Sequence, residues 1–529
     1  MVLGVLVAAI ALAGAQREEP AARAADEPYF NETGLPITSQ PVTMRVLFPR
    51  RPWHGDFEGM WFIEELKRRT NISLEFTLVD ASGWEERKHL AFASGDYPDI
   101  FLDGIQKVDD MTYGTQQGIL VDVSDLVYEY SPQLLQIFED FPLYERLITA
   151  PDGAIYSIPT VNAVERDQID SRPFINGQWI ENLGLQMPQT LDELYEVLYA
   201  FKHRDPNRTG QDDTIPWSSI YTDADTGPEA LVITALGFVS RRHDIVDGQY
   251  VFVPIQPEYK EYLRFMRRLY AEGLLDPDYF TQDSAALNAK ITQRRVGYVA
   301  GNPAGQIAGE DYREYTMPSA LTSAWNSTLV WPEKSPEARN WGVFTMTDKN
   351  PHPKAAIRLV DYFLTQEGSR MVRTGPEYGT PGVDGGWELY YDEDGVLQNR
   401  LHFPGFDGFF AFRGQHSIMQ APYFSGDDIT FVVIGQDPRN QFLAEAALDS
   451  GLLDVRRPAY PDIYFTAEEI DRLSAIEIDL QNYVQEMDAR FITGGRSIDA
   501  EWDNYIRTIE QIGVSEMSQI RQTAYDRWN

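Results

Sequence analysis

Between Met44 and Leu102 the chain switches repeatedly between two hydrophobic periods, and this alternation restricts the possible folds more than any other feature. MRVLF (44–48) is a short apolar run. GDFEGMWFIEELKRRT (55–70) repeats at helical spacing, NISLEFTLV (71–79) alternates residue by residue, WEERKHLAFAS (84–94) is helical again, and DIFL (99–102) is a buried strand. Strand, helix, strand, helix, strand predicts a parallel sheet covered by crossover helices, an α/β fold.

A second α/β run follows. TLDELYEVLYAFKHR (190–204) is a predicted helix whose Thr190 and Glu193 form a capping box, and EYKEYLRFMRRLYAEG (258–273) is another. RVGYVAGN (295–302) and NWGVFTMT (340–347) read as strands, and HPKAAIRLVDYFLTQEGSRMVRTG (352–375) as one helix closed by Gly375. Beyond Thr466, which pairs with Glu469 as a second capping box, the chain is almost wholly helical. At 529 residues it exceeds what one core supports, so two large lobes are expected.

Lys and Arg number 45 against 81 Asp and Glu, and 45 − 81 gives a net charge of −36. Such a field repels phosphate backbones, so nucleic acid is excluded as a partner and neutral or cationic ligands are favoured. The absence of cysteine removes disulfides, thiol nucleophiles and zinc-thiolate sites. His54, His89, His203, His243, His352, His402 and His416 are too far apart for two to share a helical turn, so a two-histidine zinc face is excluded as well. No nucleophile elbow, P-loop or dinucleotide fingerprint is present. With 81 acids, a carboxylate pair for glycan cleavage cannot be picked out by spacing. A glycan-active hydrolase or lyase therefore stands as an alternative to a binding protein.

Val2 to Ala15 is apolar, too short to span a bilayer, and ends in Ala13-Gly-Ala15, an A-x-A cleavage pattern. Residues 1–15 read as a signal peptide and predict export. Leu12-Ala-Gly-Ala15 is similar to a bacterial lipobox with alanine in place of cysteine, so a free secreted form is expected. Residues 16–40, rich in Ala, Glu and Pro, read as a tether.

DPNRTGQDDTIP (205–216) follows the 190–204 helix in the pattern of a calcium loop. Asp205, Asn207, Thr209, the carbonyl of Gln211, and Asp213 occupy ligand positions one, three, five, seven and nine, with Gly210 at the sharp turn. The twelfth position is Pro216, which has no ligating side chain. The loop is either a weak structural calcium site or a polar turn needing no ion.

An ordered set of segments resembles the family 1 extracellular solute-binding proteins, the substrate receptors of bacterial ABC importers, in particular the subgroup of alginate-oligosaccharide-binding proteins. The set comprises Gly95-Asp-Tyr-Pro-Asp-Ile100, Asp152-Gly-Ala-Ile-Tyr-Ser-Ile-Pro159, Trp179-Ile-Glu-Asn-Leu-Gly-Leu185 with Pro188-Gln-Thr-Leu-Asp-Glu193, the 205–216 loop, His352-Pro-Lys-Ala-Ala with Gln366-Glu-Gly368, Phe491-Ile-Thr-Gly494, Trp502-Asp-Asn-Tyr505 and Ala524-Tyr-Asp-Arg-Trp528. It departs from the family at Asn176-Gly-Gln178, where Arg-Lys-Asp is usual, and at Thr214, where the family's calcium loop carries Glu; Asp212 is a candidate substitute.

The resemblance implies the type II periplasmic-binding-protein fold, with two discontinuous α/β lobes closing on a hinge: 41–162 with 318–375, and 163–317 with 376–529. It implies a monomeric, non-catalytic receptor that passes an oligosaccharide to transmembrane permease subunits. Peptides or other polar solutes are the remaining ligand alternatives. Open α/β sheets hold ligands at the carboxyl ends of their strands, and sugars stack on aromatic faces. On that basis Trp53, His54, Asp99, Trp217, Asn302, Trp325, Trp331 and Trp387 are candidate ligand contacts. Each tryptophan is otherwise a packing residue, and Asp99 otherwise a local backbone cap.

Overall fold

A computed structural model describes residues 27–164, 169, 172–221, 227, 229–300, 311–333, 341–391, 397–406, 409–426 and 438–529. The signal peptide expected at 1–15, the first part of the tether and Asn302 lie outside the described residues.

Eight strands form two four-stranded sheets: β1 (Val42–Arg50), β2 (Ile72–Asp80), β3 (Ile100–Phe101), β4 (Pro173–Asn176), β5 (Ile215–Trp217), β6 (Val296–Ala300), β7 (Tyr315–Thr316) and β8 (Thr345–Met346). The first sheet has the order β8-β3-β1-β2. β1 runs parallel to both β2 and β3, with Val42 opposite Ile72 and Val46 opposite Ile100, and β8 is antiparallel to β3. The second sheet has the order β7-β4-β6-β5, in which only β5 and β6 are parallel.

The helices used below are α1 (Trp61–Thr70), α2 (Trp84–Ser94), α3 (Leu191–His203), α4 (Pro257–Ala271), α5 (Pro353–Leu364), α6 (Ala467–Thr493), α7 (Ile498–Ile512) and α8 (Val514–Trp528). Their ends follow capping chemistry. Thr466 accepts from the Glu469 amide while the Glu469 carboxylate accepts from Thr466 N, which starts α6. Thr190 forms only half of its expected box: it accepts from Glu193 N, but the Glu193 carboxylate reaches Gln189 N instead.

Each lobe has its own core. The first gathers Met44, Val46, Phe48, Phe62 and Ile100 with Phe344, Ile357, Val372, Ile418 and Tyr423. The second gathers Phe174, Leu198, Trp217, Tyr298, Leu321 and Trp331 with Leu443, Leu480, Phe491 and Tyr505. Residues 320–331 thus pack in the second core and 418–423 in the first, where the sequence had suggested the reverse. The two cores draw on segments far apart in sequence, and local periodicity does not say which of the two cores a given apolar segment joins.

Three further features differ from the sequence reading. The 352–375 helix is broken at Thr365, whose ψ of 159° is extended and whose hydroxyl caps a second helix, Gln366–Arg373, by accepting from Gly368 N. A side chain at Gly368 would collide with the Tyr362 carbonyl, so only glycine permits this close return. Among the described residues 341–347 only Thr345 and Met346 form a named strand, because Gly342 turns the chain at φ +64° against the Ile105 backbone.

The described part of the tether, 27–40, is packed on the first lobe. Ile37 is fully buried, Phe30 stands edge-on to Tyr130 at 5.2 Å, and the Glu27 carboxylate accepts from Lys354 N at 2.8 Å and Ala355 N at 3.4 Å at the start of α5. At the other end α8 reaches back to the first lobe. Arg146 donates to the Trp528 carbonyl at 2.7 Å and stacks on its ring, while Leu147, Ile463 and Ala524 form a small shared core.

Candidate functional site

The carboxyl ends of β1 and β3 lie side by side, and both strands lead into loops that carry polar side chains. Arg51 follows β1 and forms an ion pair with Asp103, two residues past β3. Asp103 takes the left-handed conformation at φ +85°, with its amide on the Gly342 carbonyl at 2.9 Å and its own carboxylate accepting from Gly104 N at 2.8 Å. Burial pushes the Asp103 carboxyl up in pKa, and Arg51 opposes that shift.

Trp53 joins the group. The Arg51 guanidinium lies 5.6 Å from its ring and the Phe410 ring is also 5.6 Å away, and its buried indole N–H has no hydrogen-bond partner among the described residues. His54 lies beneath. Its Nδ1 accepts from Arg51 N at 3.0 Å, so Nε2 carries the proton, 3.1 Å from the Ile418 carbonyl and 3.0 Å from Gln420. Desolvation pushes its pKa down to about 4, so the ring is neutral at neutral pH and pins the 51–55 loop to the 418–420 segment. Arg51, Trp53, Asp103, Phe410 and Gln420 thus make a half-buried aromatic and polar surface at the edge where ligands of open α/β sheets sit.

The matching edge of the second sheet carries Ser218 to Tyr221, just past β5. Tyr221 donates to Asp488 on α6 at 2.9 Å, and the Arg241 guanidinium stacks on its ring at 4.6 Å. Arg241 is in turn 3.3 Å from Glu229, which also accepts from Tyr279, and Tyr259 donates to Asp488 at 2.7 Å. Burial pushes both the Glu229 and the Asp488 carboxyls up in pKa, with Arg241 as the main opposing charge. Tyr221 is therefore braced from beneath by a charged network.

Most of the sequence candidates lie elsewhere. Asp99 is at the amino end of β3, away from this edge, and is bound by Arg45 through N at 2.8 Å, Nε at 3.2 Å and Nη2 at 2.9 Å. Trp217 and Trp331 have no exposed surface; Trp217 packs on Tyr298 at 4.4 Å. Trp325 is exposed on the second lobe, in the loop held by Ser323 and Asn326. Trp387 donates to the Gly375 carbonyl at 3.0 Å and lines, with Trp61, Arg68 and Glu377, a groove of about 540 Å³ beside α1. Among the described candidates, Trp53 and His54 alone meet in the Arg51–Asp103 group. Arg51 and Asp103 were open to the carboxyl-end rule; Phe410 and Gln420 come from more than 300 residues away, and no local signal announces them.

In the 205–213 loop, Asn207 donates to Asp213 at 3.0 Å, Thr209 Oγ1 to Asn207 Oδ1 at 3.1 Å, and Asp205 accepts from the amides of Thr209 and Gly210, both at 3.1 Å. Gly210 makes the turn at φ +69°. Hard oxygen donors on alternate residues around such a turn fit calcium chemistry, with two carboxylates among them. Asp212 is not the substitute for the missing Glu, since it pairs outward with Lys202 at 3.1 Å. Thr214 is turned into the lobe, donating to the Phe201 carbonyl at 2.9 Å.

Two α/β lobes, each offering the carboxyl edge of a sheet, define a two-lobed binding protein of the periplasmic type. The profile described as bacterial extracellular solute-binding protein matches residues 59–369, and the chain belongs to that family. It is 28% identical, over 88% of its length and 86% of the relative's, to the fructooligosaccharide ABC transporter substrate-binding protein FusA of Streptococcus pneumoniae. Among solved structures it is similar to an EF-hand mutant of FusA in complex with fructo-nystose, at 24% identity and a TM-score of 0.73 over 92% of this chain and 99% of that one. It is also similar to an HMO-binding, ABC-transporter-associated solute-binding protein of Bifidobacterium longum infantis, at 21% identity and a TM-score of 0.77 over 92% and 99%.

Proposed function

We propose that the chain is the exported, monomeric receptor of an ABC importer, taking an oligosaccharide between its lobes and handing it unaltered to a membrane permease. The observation that carries this reading is the Arg51, Trp53, Asp103 and Phe410 surface at the carboxyl edge of the first sheet: aromatic faces beside an anchored ion pair match a sugar's C–H faces and hydroxyls. The fructooligosaccharide specificity in FusA's name supports the ligand class. A ligand touching both lobes stabilises the closed arrangement through contacts that the open one lacks.

On this reading the lobes divide as about 41–164 with 341–426, and 172–333 with 438–529, following the two cores. Thermal-shift titration with kestose, nystose, milk oligosaccharides, oligouronides and short peptides, followed by chromatography of any recovered sugar, tests it. Stabilisation by one class with the sugar recovered intact is the expected result. Cleaved sugar would establish the enzyme instead, and stabilisation by peptides alone the other receptor.

The 205–213 loop then serves as a calcium-bound brace of the second lobe, with Asp205, Asn207, Thr209, the Gln211 carbonyl and Asp213 as its oxygen ligands. A site at the weak end of the calcium range adds about 0.4–1.4 kcal/mol of stability at about 1 mM calcium. Calorimetry after EDTA treatment, with and without added calcium, measures this increment, and Asp213→Ala is expected to abolish it.

A further inference from the structure

Asp110 is fully buried and accepts three hydrogen bonds from side chains that are far apart in sequence. Ser157 Oγ donates to Oδ1 at 2.7 Å, while Tyr464 Oη at 2.7 Å and Trp341 Nε1 at 3.1 Å donate to Oδ2. It opens a π-helical turn, Asp110–Gln116, a geometry that recurs at functional sites.

The identity of the three donors gives the cluster its meaning. Ser157, also 2.8 Å from Thr345 on β8, stands just before the chain leaves the first lobe. Trp341 is on the segment returning from the second lobe to β8. Tyr464 lies between the Arg456–Pro458 strand, paired with Trp331–Glu333, and α6, whose apolar face is in the second core. Lys107 reinforces the junction. Its ammonium lies 4.3 Å from the Trp341 ring and 5.2 Å from the Tyr464 ring, and 3.3 Å from the Asp462 carboxylate.

We propose that Asp110 is the pivot of the hinge, a positioning residue that sets how far apart the lobes stand before ligand binds by tying Tyr464 and Trp341 to the first lobe. The proposal rests on the capture reading for its biological consequence, but the hinge geometry it concerns exists without ligand. Burial pushes the Asp110 carboxyl up to about 7, so its charge changes near neutrality. Charge-assisted bonds from Tyr464 and Trp341 strengthen as it ionises.

The charged groups around it are otherwise paired. Asp109 meets Lys88 at 2.6 Å, and Lys88 also meets Glu85 at 2.8 Å. Lys107 meets Asp462, Asp152 accepts from Tyr156 at 2.8 Å and Thr115 at 2.7 Å, and Arg527 donates to the Tyr464 carbonyl at 3.5 Å.

The chain has no cysteine, so Leu90→Cys on α2 and Glu196→Cys on α3, both exposed, place one spin label on each lobe. Interlobe distances are measured in ligand-free protein by double electron–electron resonance at about pH 5.5 and about pH 8.5. The expected result is a narrower distribution at the higher pH. In Asp110→Asn the distribution should broaden, shift in mean on the order of 5 Å, and lose its pH response. Tyr464→Phe, which removes one donor and keeps the ring, should broaden it to a lesser degree and decides the matter if Asp110→Asn does not fold. Distributions in both variants that match the parent's, even with lowered melting temperatures, would overturn the proposal. Because no sugar is present, that failure is separate from failure of the ligand assignment.

Discussion

Arg51→Met is expected to destabilise the protein by about 3–5 kcal/mol near neutral pH and to abolish measurable sugar capture. The ion pair holds together two loops from adjacent strands, and its acid is almost wholly enclosed. Removing the guanidinium leaves the buried Asp103 carboxylate with the Gly104 amide but without a counter-charge, which costs more than the pair itself contributed. The pH dependence identifies the cause. Asp103 already has a raised folded-state pKa through burial, so its proton stabilises the fold at low pH, and that contribution disappears as pH rises through the folded-state value. Without Arg51 this value rises further, so the deficit should be large at about pH 8 and small at about pH 5. Denaturant melts at the two pH values measure it. An equal loss at both would mean that Asp103 is not the uncompensated charge.

Glu229→Ala is expected to cost a similar amount, about 3–5 kcal/mol, for the opposite charge. Glu229 and Arg241 are both buried in the second lobe, and the guanidinium also supports Tyr221. Burial opposes the Arg241 charge, yet its pKa is held up by Glu229 first and then by the surrounding tyrosines. Truncating Glu229 removes the principal counter-charge, whereas replacing both partners together by Glu229→Leu and Arg241→Met should recover part of the loss: the pair no longer has charges to desolvate, but the buried Asp488 carboxyl loses Arg241 as its main opposing charge. Equilibrium unfolding of the parent, Glu229→Leu, Arg241→Met and the double variant forms a double-mutant cycle, with an expected coupling of about 2–3 kcal/mol. Tyr221 gives a second readout: sugar affinity should fall in Glu229→Ala at temperatures where the lobe is still folded.

The α/β character of both lobes was legible because it is written in local periodicity. The 84–94 helix and the Thr466–Glu469 box are in the structure as read, and β1, β2 and β6 are within two residues. Failures occur where tertiary contacts override that signal. The 55–70 pattern becomes helical only at Trp61, because Gly59 takes φ +75° and Asp56 caps the turn through Glu58 N at 3.1 Å. Trp217 and Trp331 were candidates because they stand at strand ends, but a strand end can point into the core, and both do. Asp99 shows the complementary error: the acid was recognised, but strand direction puts it at the wrong edge. Phe410 and Gln420 belong to a segment that meets the 51–55 loop only in three dimensions, with Gly414 accepting the Gly55 amide at 2.8 Å. One sequence carries no trace of such an approach.

The packed stretch from Glu27 to Ser39 fixes which half of the molecule an upstream attachment would grip. Its carboxylate on the first turn of α5 and Ile37 in the first core make that lobe the one from which the preceding chain departs. On a surface held through this end, the first lobe is the stator and the second the rotor. A pull from the attachment point would load the α5 cap before it reached the joint at Asp110, so closing over cargo should proceed almost unaffected by the mooring.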